Sequence, residues 1–360
     1  CDDDYDGIGS YDLSTLDETL LDGQTGVSIS YYESQEDADN ATNVLDVNYQ
    51  NTVPDNQTLY VRLEIDETGC YATTTQELIV NPIPTVLVGP AYEVCDDDYD
   101  GIGSYDLSTL DETLLDGQTG VSISYYESQE DADNATNVLD VNYQNTVPDN
   151  QTLYVRLEVD ETGCYATTTQ ELIVNPLPEI IIPSPLEECD DDYDGIVSFF
   201  DLSQKTEEIL NGQTGISVSY YETLFNAESG ENPIEGLYTN IEADTQTLHV
   251  RLEVDETGCY ATTTQELIVN PIPTVLVGPT YEVCDDDYDG IGSYDLSTLD
   301  ETLLDGQTGV SISYYESQED ADNATNVLDV NYQNTVPDNQ TLYVRLEVDE
   351  TGCYATTTQE

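Results

Sequence analysis

The chain has 360 residues and carries 76 acidic side chains against five basic ones, a formal charge of −71, with one histidine and no methionine or tryptophan. So negative a surface repels phosphate backbones and anionic headgroups, which excludes nucleic acid and anionic membranes as partners and makes cations the expected company. It suits a salty, calcium-containing medium, where screening and bound ions offset self-repulsion. No apolar run approaches a membrane span, and with neither an initial Met nor a signal peptide the sequence reads as a segment of a mature protein.

The first feature in chain order is Cys1-Asp2-Asp3-Asp4-Tyr5-Asp6-Gly7, continuing through Ile8 to Asp12-Leu13-Ser14. It recurs at Cys95, Cys189 and Cys284, so the chain is a tandem array with a period of about 94 residues. Asp2, Asp4 and Asp6 alternate and a glycine follows, the D-x-D-x-D-G opening of a calcium loop. Hard oxygen donors crowded so closely repel one another unless a cation sits between them, and calcium is the expected cofactor. The expected ligands in repeat one are Asp2, Asp4, Asp6, Ile8 through its main chain, and Asp12. Their equivalents are Asp96, Asp98, Asp100, Ile102 and Asp106 in repeat two, and Asp190, Asp192, Asp194, Ile196 and Asp201 in repeat three. In repeat four they are Asp285, Asp287, Asp289, Ile291 and Asp295. The closing carboxylate falls one position short of the EF-hand pattern in repeat one, whereas repeat three has one more residue before Asp201. Either that residue forms a bulge, or the last Asp is not a ligand. The bland alternative is a solvated, capped turn without an ion.

After the loop, Ser14 with an acid three residues on and a closing Gly23 predicts one short helical turn capped by that serine. Val27, Ile29 and Tyr31 mark a strand, and residues 33–43 a polar loop with a helical turn. Residues 58–66 alternate, with Leu59, Val61, Leu63 and Ile65 on one face and Tyr60, Arg62 and Glu64 on the other, a half-buried strand. Asp66-Glu67-Thr68-Gly69 turns the chain, and residues 70–80 return as the second strand of the hairpin. The joins Asn81-Pro82-Ile83-Pro84, Asn175-Pro176-Leu177-Pro178 and Asn270-Pro271-Ile272-Pro273 are stiff connectors. The apolar runs after them, beginning at Thr85, Glu179 and Thr274, are expected to be the first strand of the following domain. This yields four all-β domains, residues 1–81, 82–175, 176–270 and 271–360, the first without its first strand and the last without its last. Their expected form is an immunoglobulin-like antiparallel β-sandwich, with a barrel as the alternative.

The eight cysteines fall two per repeat, Cys1 with Cys70, Cys95 with Cys164, Cys189 with Cys259, and Cys284 with Cys353. The even count and the absence of C-x-x-C predict disulfides, one inside each unit, in an oxidising compartment. Free thiols in a cytosolic protein are the alternative. The recurring pairs Tyr31-Tyr32, Tyr125-Tyr126, Tyr220-Tyr221 and Tyr314-Tyr315 are expected to place one ring in the core and one in solvent.

Catalysis is not expected. The single histidine, His249, replaces an outward tyrosine found at Tyr60, Tyr154 and Tyr343, so three of four units have no counterpart to it. Lys205 is the sole lysine, which removes isopeptide crosslinking as a general device.

Cys-Asp-Asp-x-x-Asp-Gly, then Ser-Tyr-Tyr-Glu, Gln-Thr-Leu-Tyr-Val-Arg-Leu-Glu, Glu-Thr-Gly-Cys-Tyr and Ile-Val-Asn-Pro-x-Pro together resemble the immunoglobulin-like repeats of flavobacterial surface proteins. The resemblance spans every repeat, with repeat three diverging over residues 223–245. It implies a cell-surface, extracellular location, export by type IX secretion with a gliding-motility-associated sorting domain, and a role in adhesion or surface structure. Two functions stay open. One is a structural array, stiffened by calcium and disulfides, that self-associates into a fibre or stalk; the other is a multivalent adhesin binding glycans or surfaces.

Overall fold

A computed structural model describes residues 1–285 and 288–360. The chain divides into two compact units, residues 1–176 with repeats one and two and residues 177–360 with repeats three and four.

In repeat one the order is β1 (Ser10–Asp12), a 3-10 turn at Leu13–Leu16 running into α1 (Asp17–Leu21), β2 (Val27–Tyr32), α2 (Gln35–Asn40), β3 (Asn48–Gln50), β4 (Asn56–Ile65) and β5 (Tyr71–Ile79). The antiparallel sheet β2-β4-β5 faces the small antiparallel pair β1-β3, a sandwich of two unequal layers. The alternation in β4 explains the core: Leu59 and Val61 are fully buried with Leu13, Tyr31, Tyr49 and Leu78. The expected hairpin is present, Asn56 pairing with Ile79 and Glu64 with Tyr71.

Repeat two begins with β6 (Tyr92–Cys95), which lies parallel to the closing strand Tyr165–Asn175, Leu172 opposite Tyr92 and Cys95 opposite Asn175. This corrects the expected first strand. The apolar run 85–88 forms no strand and leaves Val88 77% exposed, as it leaves Ile182 and Val277 in the runs after the other two joins. The run is held by side chains instead: the Gln118 amide donates to the Thr85 carbonyl and accepts from the Thr85 N–H, at 2.9 and 3.0 Å. Gln213 with Glu179 and Gln307 with Thr274 repeat the clamp. Repeat three uses Leu186–Cys189 as the parallel strand. In repeat four the last strand runs over Tyr354–Gln359, and a cavity of about 370 Å³ lined by Tyr281, Tyr294, Tyr332 and Leu342 opens beside it.

Three further expectations change. Asp12, not Ser14, caps the first helical turn, accepting from the Ser14 N–H at 3.0 Å, and Asp106, Asp201 and Asp295 do the same. The second tyrosine of each pair does not reach solvent: Tyr32 is as buried as Tyr31, its hydroxyl 3.0 Å from that of Ser30. The cause is on the outer face of the sheet, which α2 covers. There Arg62, expected to be wet, is buried; it donates to the Ala38 and Asp39 carbonyls of α2, lies 3.4 Å over the Tyr71 ring and pairs with Glu64 at 2.6 Å. Arg156, Arg251 and Arg345 repeat this in their own domains.

Candidate functional site at the repeat junction

In repeats one to three the aspartate loop begins where the closing strand of its repeat ends, the Asp2 N–H donating to the Asn81 carbonyl at 2.8 Å, Asp96 to Asn175 and Asp190 to Asn270. Asp2 then shapes the loop: one carboxylate oxygen accepts from the N–H of Asp4 and Tyr5, the other from Gly7 at 2.9 Å. Partial burial works against its charge, but the amides of Gly7, Asp4 and Tyr5 outweigh it and hold the carboxyl below the usual carboxylate range. Tyr5 is left-handed at φ 66°, as are Tyr99, Tyr193 and Tyr288 in the other repeats, a conformation a tyrosine holds only when its surroundings impose it. Gly7, at φ 75°, is required twice over, because a Cβ there would sit 2.8 Å from an Asp55 carboxylate oxygen.

The carboxylate oxygens of Asp2, Asp4 and Asp6 lie within 4.8 Å of one another, as do those of Asp190, Asp192 and Asp194. In repeat two the converging trio is Asp96, Asp97 and Asp98, and burial together with the nearby Asp100 raises the Asp98 pKa. Burial and the neighbouring Asp6 push Asp4 upward, Asp192 rising likewise beside Asp194, the signature of like charges sharing a site. A divalent cation would relieve that repulsion, and an all-oxygen donor set suits calcium. The Asp2 oxygen that accepts from Gly7 alone keeps a second lone pair for a metal, whereas the other already accepts from both Asp4 and Tyr5.

The closing aspartates stand apart. Asp12, Asp106, Asp201 and Asp295 are engaged as helix caps and belong to none of these clusters. The Ile8, Ile102, Ile196 and Ile291 amides each donate to the last loop aspartate, 2.7 Å from Asp6 in the first case. Asp289 takes that role in repeat four, where Asp285 accepts from Tyr288 and Gly290. Asp287 lies outside the described residues. In repeat three the extra residue is a bulge: Val197 and Phe200 keep the places of Gly9 and Tyr11, Phe199 is pushed outward, and Asp201 caps as Asp12 does.

Sequence reasoning missed Asn51, which closes the loop from the far side of the repeat. Its side chain accepts from the Gly9 N–H at 2.6 Å and donates to the Gly7 carbonyl at 2.9 Å. Asn145, Asn240 and Asn334 recur in this role, and their recurrence at a fixed distance from the loop was the available signal.

The disulfides overturn the expected pairing inside each repeat. Cys1 is bonded to Cys164 of the following repeat, Cα atoms 5.5 Å apart, and Cys189 to Cys353, at 5.4 Å. Cys95 and Cys259 are disulfide-bonded as well, while Cys70 and Cys284 are free and exposed. The reason is the length of the closing strand. Cys164 precedes Tyr165 at one end of it and Cys95 pairs with Asn175 at the other, eleven residues away. At about 3.3 Å per residue these ends are roughly 35 Å apart, far beyond the reach of one bridge. A bridge at that end must take its partner from the next domain. The Tyr5 hydroxyl reinforces the junction by donating to the Pro84 carbonyl of the join at 2.9 Å, and Tyr193 does the same to Pro273.

A family model described as the Flavobacterium inter-domain disulphide bond domain matches the chain at residues 1–84, 91–178, 185–273 and 280–360. No curated protein matches it in sequence. Among solved structures it is similar to the human desmocollin-1 ectodomain at 13% identity, covering 85% of this chain and 64% of that one, with a TM-score of 0.14. The chain thus spans less than two thirds of that ectodomain. It is also similar to the zebrafish RET cadherin-like domains 1 to 4, at 9% identity over 93% of this chain and 92% of that one, TM-score 0.16. The sialic acid binding region of a Streptococcus sanguinis adhesin shares 12% identity over 99% and 89% of the two chains, TM-score 0.20. Likeness at that level carries no functional information.

Proposed function

Because the chain belongs to the Flavobacterium inter-domain disulphide bond domain family, we propose that it is a non-catalytic structural module of the cell exterior, stiffened by calcium and disulfides into a surface fibre or stalk. The observation that carries this reading is the bridge from Cys1 to Cys164. It runs beside the main-chain join and ties two domains by a second covalent path, which serves to fix spacing rather than to build a pocket. A disulfide requires an oxidising compartment, and the resemblance to flavobacterial surface repeats supplies the type IX export route. Near-identical repeats multiply a mechanical property along an axis.

Calcium at each aspartate loop is the second part. Its removal leaves Asp4 and Asp6 unneutralised beside the bridge, so excess chelator at seawater ionic strength should lower the melting temperature, and calcium should restore it. An unchanged melting curve would refute the metal while leaving the disulfide reading intact.

A multivalent adhesin is the second reading, and repeat three favours it. Leu224, Phe225, Leu237 and Ile241 are exposed there, where repeat one has Gln35, Glu36, Asn48 and Thr52. A glycan array probed with the 360-residue protein and with its Phe225→Ser variant decides between them: binding lost in the variant supports adhesion, and no binding supports the structural role.

A further inference from the structure

In the small antiparallel sheet of repeat one, Tyr11 and Tyr49 point into the core, so their strand neighbours Ser10, Asn48, Gln50 and Thr52 form its outer face, exposed and polar. Repeats two and four carry the same four residues at these places. Repeat three does not. There Phe200 and Tyr238 bridge in the places of Tyr11 and Tyr49 and are buried, which turns Phe199, Leu237 and Ile241 outward, 42%, 62% and 65% exposed. Over the same stretch the exposed valines of repeat one, Val44, Val47 and Val53, become Pro233, Gly236 and Glu242. Residues 232–242 have therefore not simply grown more apolar; their exposed apolar side chains have moved onto one face of one sheet.

The rim of that face is acidic. Asp201 follows Phe199 on the outer side, and Glu242 follows Ile241. Glu222 stands in the place of Glu33, which in repeat one accepts from the Tyr49 hydroxyl at 2.7 Å and the Thr52 hydroxyl at 3.1 Å. Ile241 has no hydroxyl to give, and Glu222 is left with the Tyr238 hydroxyl at 3.3 Å. The basic side chains of this chain are engaged elsewhere, each arginine by the glutamate two residues on and Lys205 by Glu208. A second copy would bring a like charge of −71 to the face. A sugar would find neither an aromatic plane nor a hydrogen-bonding group on Leu237 and Ile241.

We propose that the outer face of the small sheet in repeat three docks a basic protein segment. Its apolar side chains rest on Phe199, Leu237 and Ile241, and its lysines or arginines reach Asp201, Glu222 and Glu242. This goes beyond the structural reading: the array carries one protein-binding point, in a single repeat, and that point uses neither metal nor disulfide.

A phage-displayed random peptide library, panned on the 360-residue protein and depleted on the variant F199S/L237N/I241T, tests the proposal. The variant restores the residues of the other three repeats, so it should melt like the parent; should it melt lower, I241T alone carries the comparison. The enriched peptides should combine apolar residues with lysine or arginine. Made synthetically and followed by fluorescence anisotropy, they should bind the triple variant about tenfold more weakly or worse. The variant E222Q/E242Q should weaken binding and flatten its dependence on salt. No peptide that separates parent from variant, or enriched peptides without basic residues, would overturn the proposal. So would a glycan held by the parent and not by the variant, or a parent that dimerises at high salt where the variant does not. None of these results bears on the chelator experiment, so the two ideas fail separately.

Discussion

The four arginines carry nearly all the positive charge of the chain, and each is used as a fork. Arg156 donates through one nitrogen to the Ala132 and Asp133 carbonyls at 2.9 and 3.1 Å, holds Glu158 through the others at 2.8 and 2.6 Å, and stacks on Tyr165. Removing it strands carbonyls already withdrawn from water, so Arg156→Ala should cost roughly 1–3 kcal/mol. Arg156→Lys should recover little of that, because a point charge cannot serve both partners. Thermal melts of the two variants check it, and a lysine variant as stable as the parent would argue against the fork. This residue also marks a limit of sequence reading. Alternation placed Arg62 and its equivalents on the outer face correctly, yet their partners are backbone carbonyls of a neighbouring helix, which leave no trace in side-chain pattern.

At the scale of elements, strands wrote themselves into alternation and caps did not. The hairpin β4-β5 and the strand β2 were legible because burial on one face imposes a period of two. The parallel strand β6 was not, since its Tyr-Glu-Val-Cys is less apolar than the Thr-Val-Leu-Val that precedes it. Helix α2 shows what capping contributes. The Asp37 carboxylate accepts from the Ser34 hydroxyl, the Asn43 amide and the Thr42 hydroxyl, which together hold it below the usual carboxylate range. Its folded pKa lies below the unfolded one, so this stability is present above the unfolded pKa and is lost as pH falls through the folded pKa. Asp131 and Asp320 act alike, and repeat three, with Asn226 in that place, is a natural control. The triple variant D37N/D131N/D320N should melt with a shallower dependence on pH on the acid side than the parent. Parallel slopes would show that these carboxylates do not set it.

At the scale of the whole molecule, the number of cysteines pointed to disulfides but their spacing pointed to the wrong partners. A separation of 69 or 70 residues looks like a closed domain loop until the closing strand is laid out, whereupon the two cysteines of a repeat stand at its opposite ends. The observed bridges enclose 163 and 164 residues, and on the chain-entropy model a loop that long stabilises by about 5 kcal/mol. Their effect on architecture is larger than that figure. Two domains tied by both a Pro-x-Pro join and a bridge cannot separate at that join by rotation about one connection, and a formal charge of −71 gives them reason to separate.

The most direct test of covalent pinning between domains is non-reducing peptide mapping of the protein made in an oxidising compartment. The account predicts peptides that join Cys1 to Cys164 and Cys189 to Cys353; peptides joining Cys1 to Cys70 or Cys95 to Cys164 would contradict it.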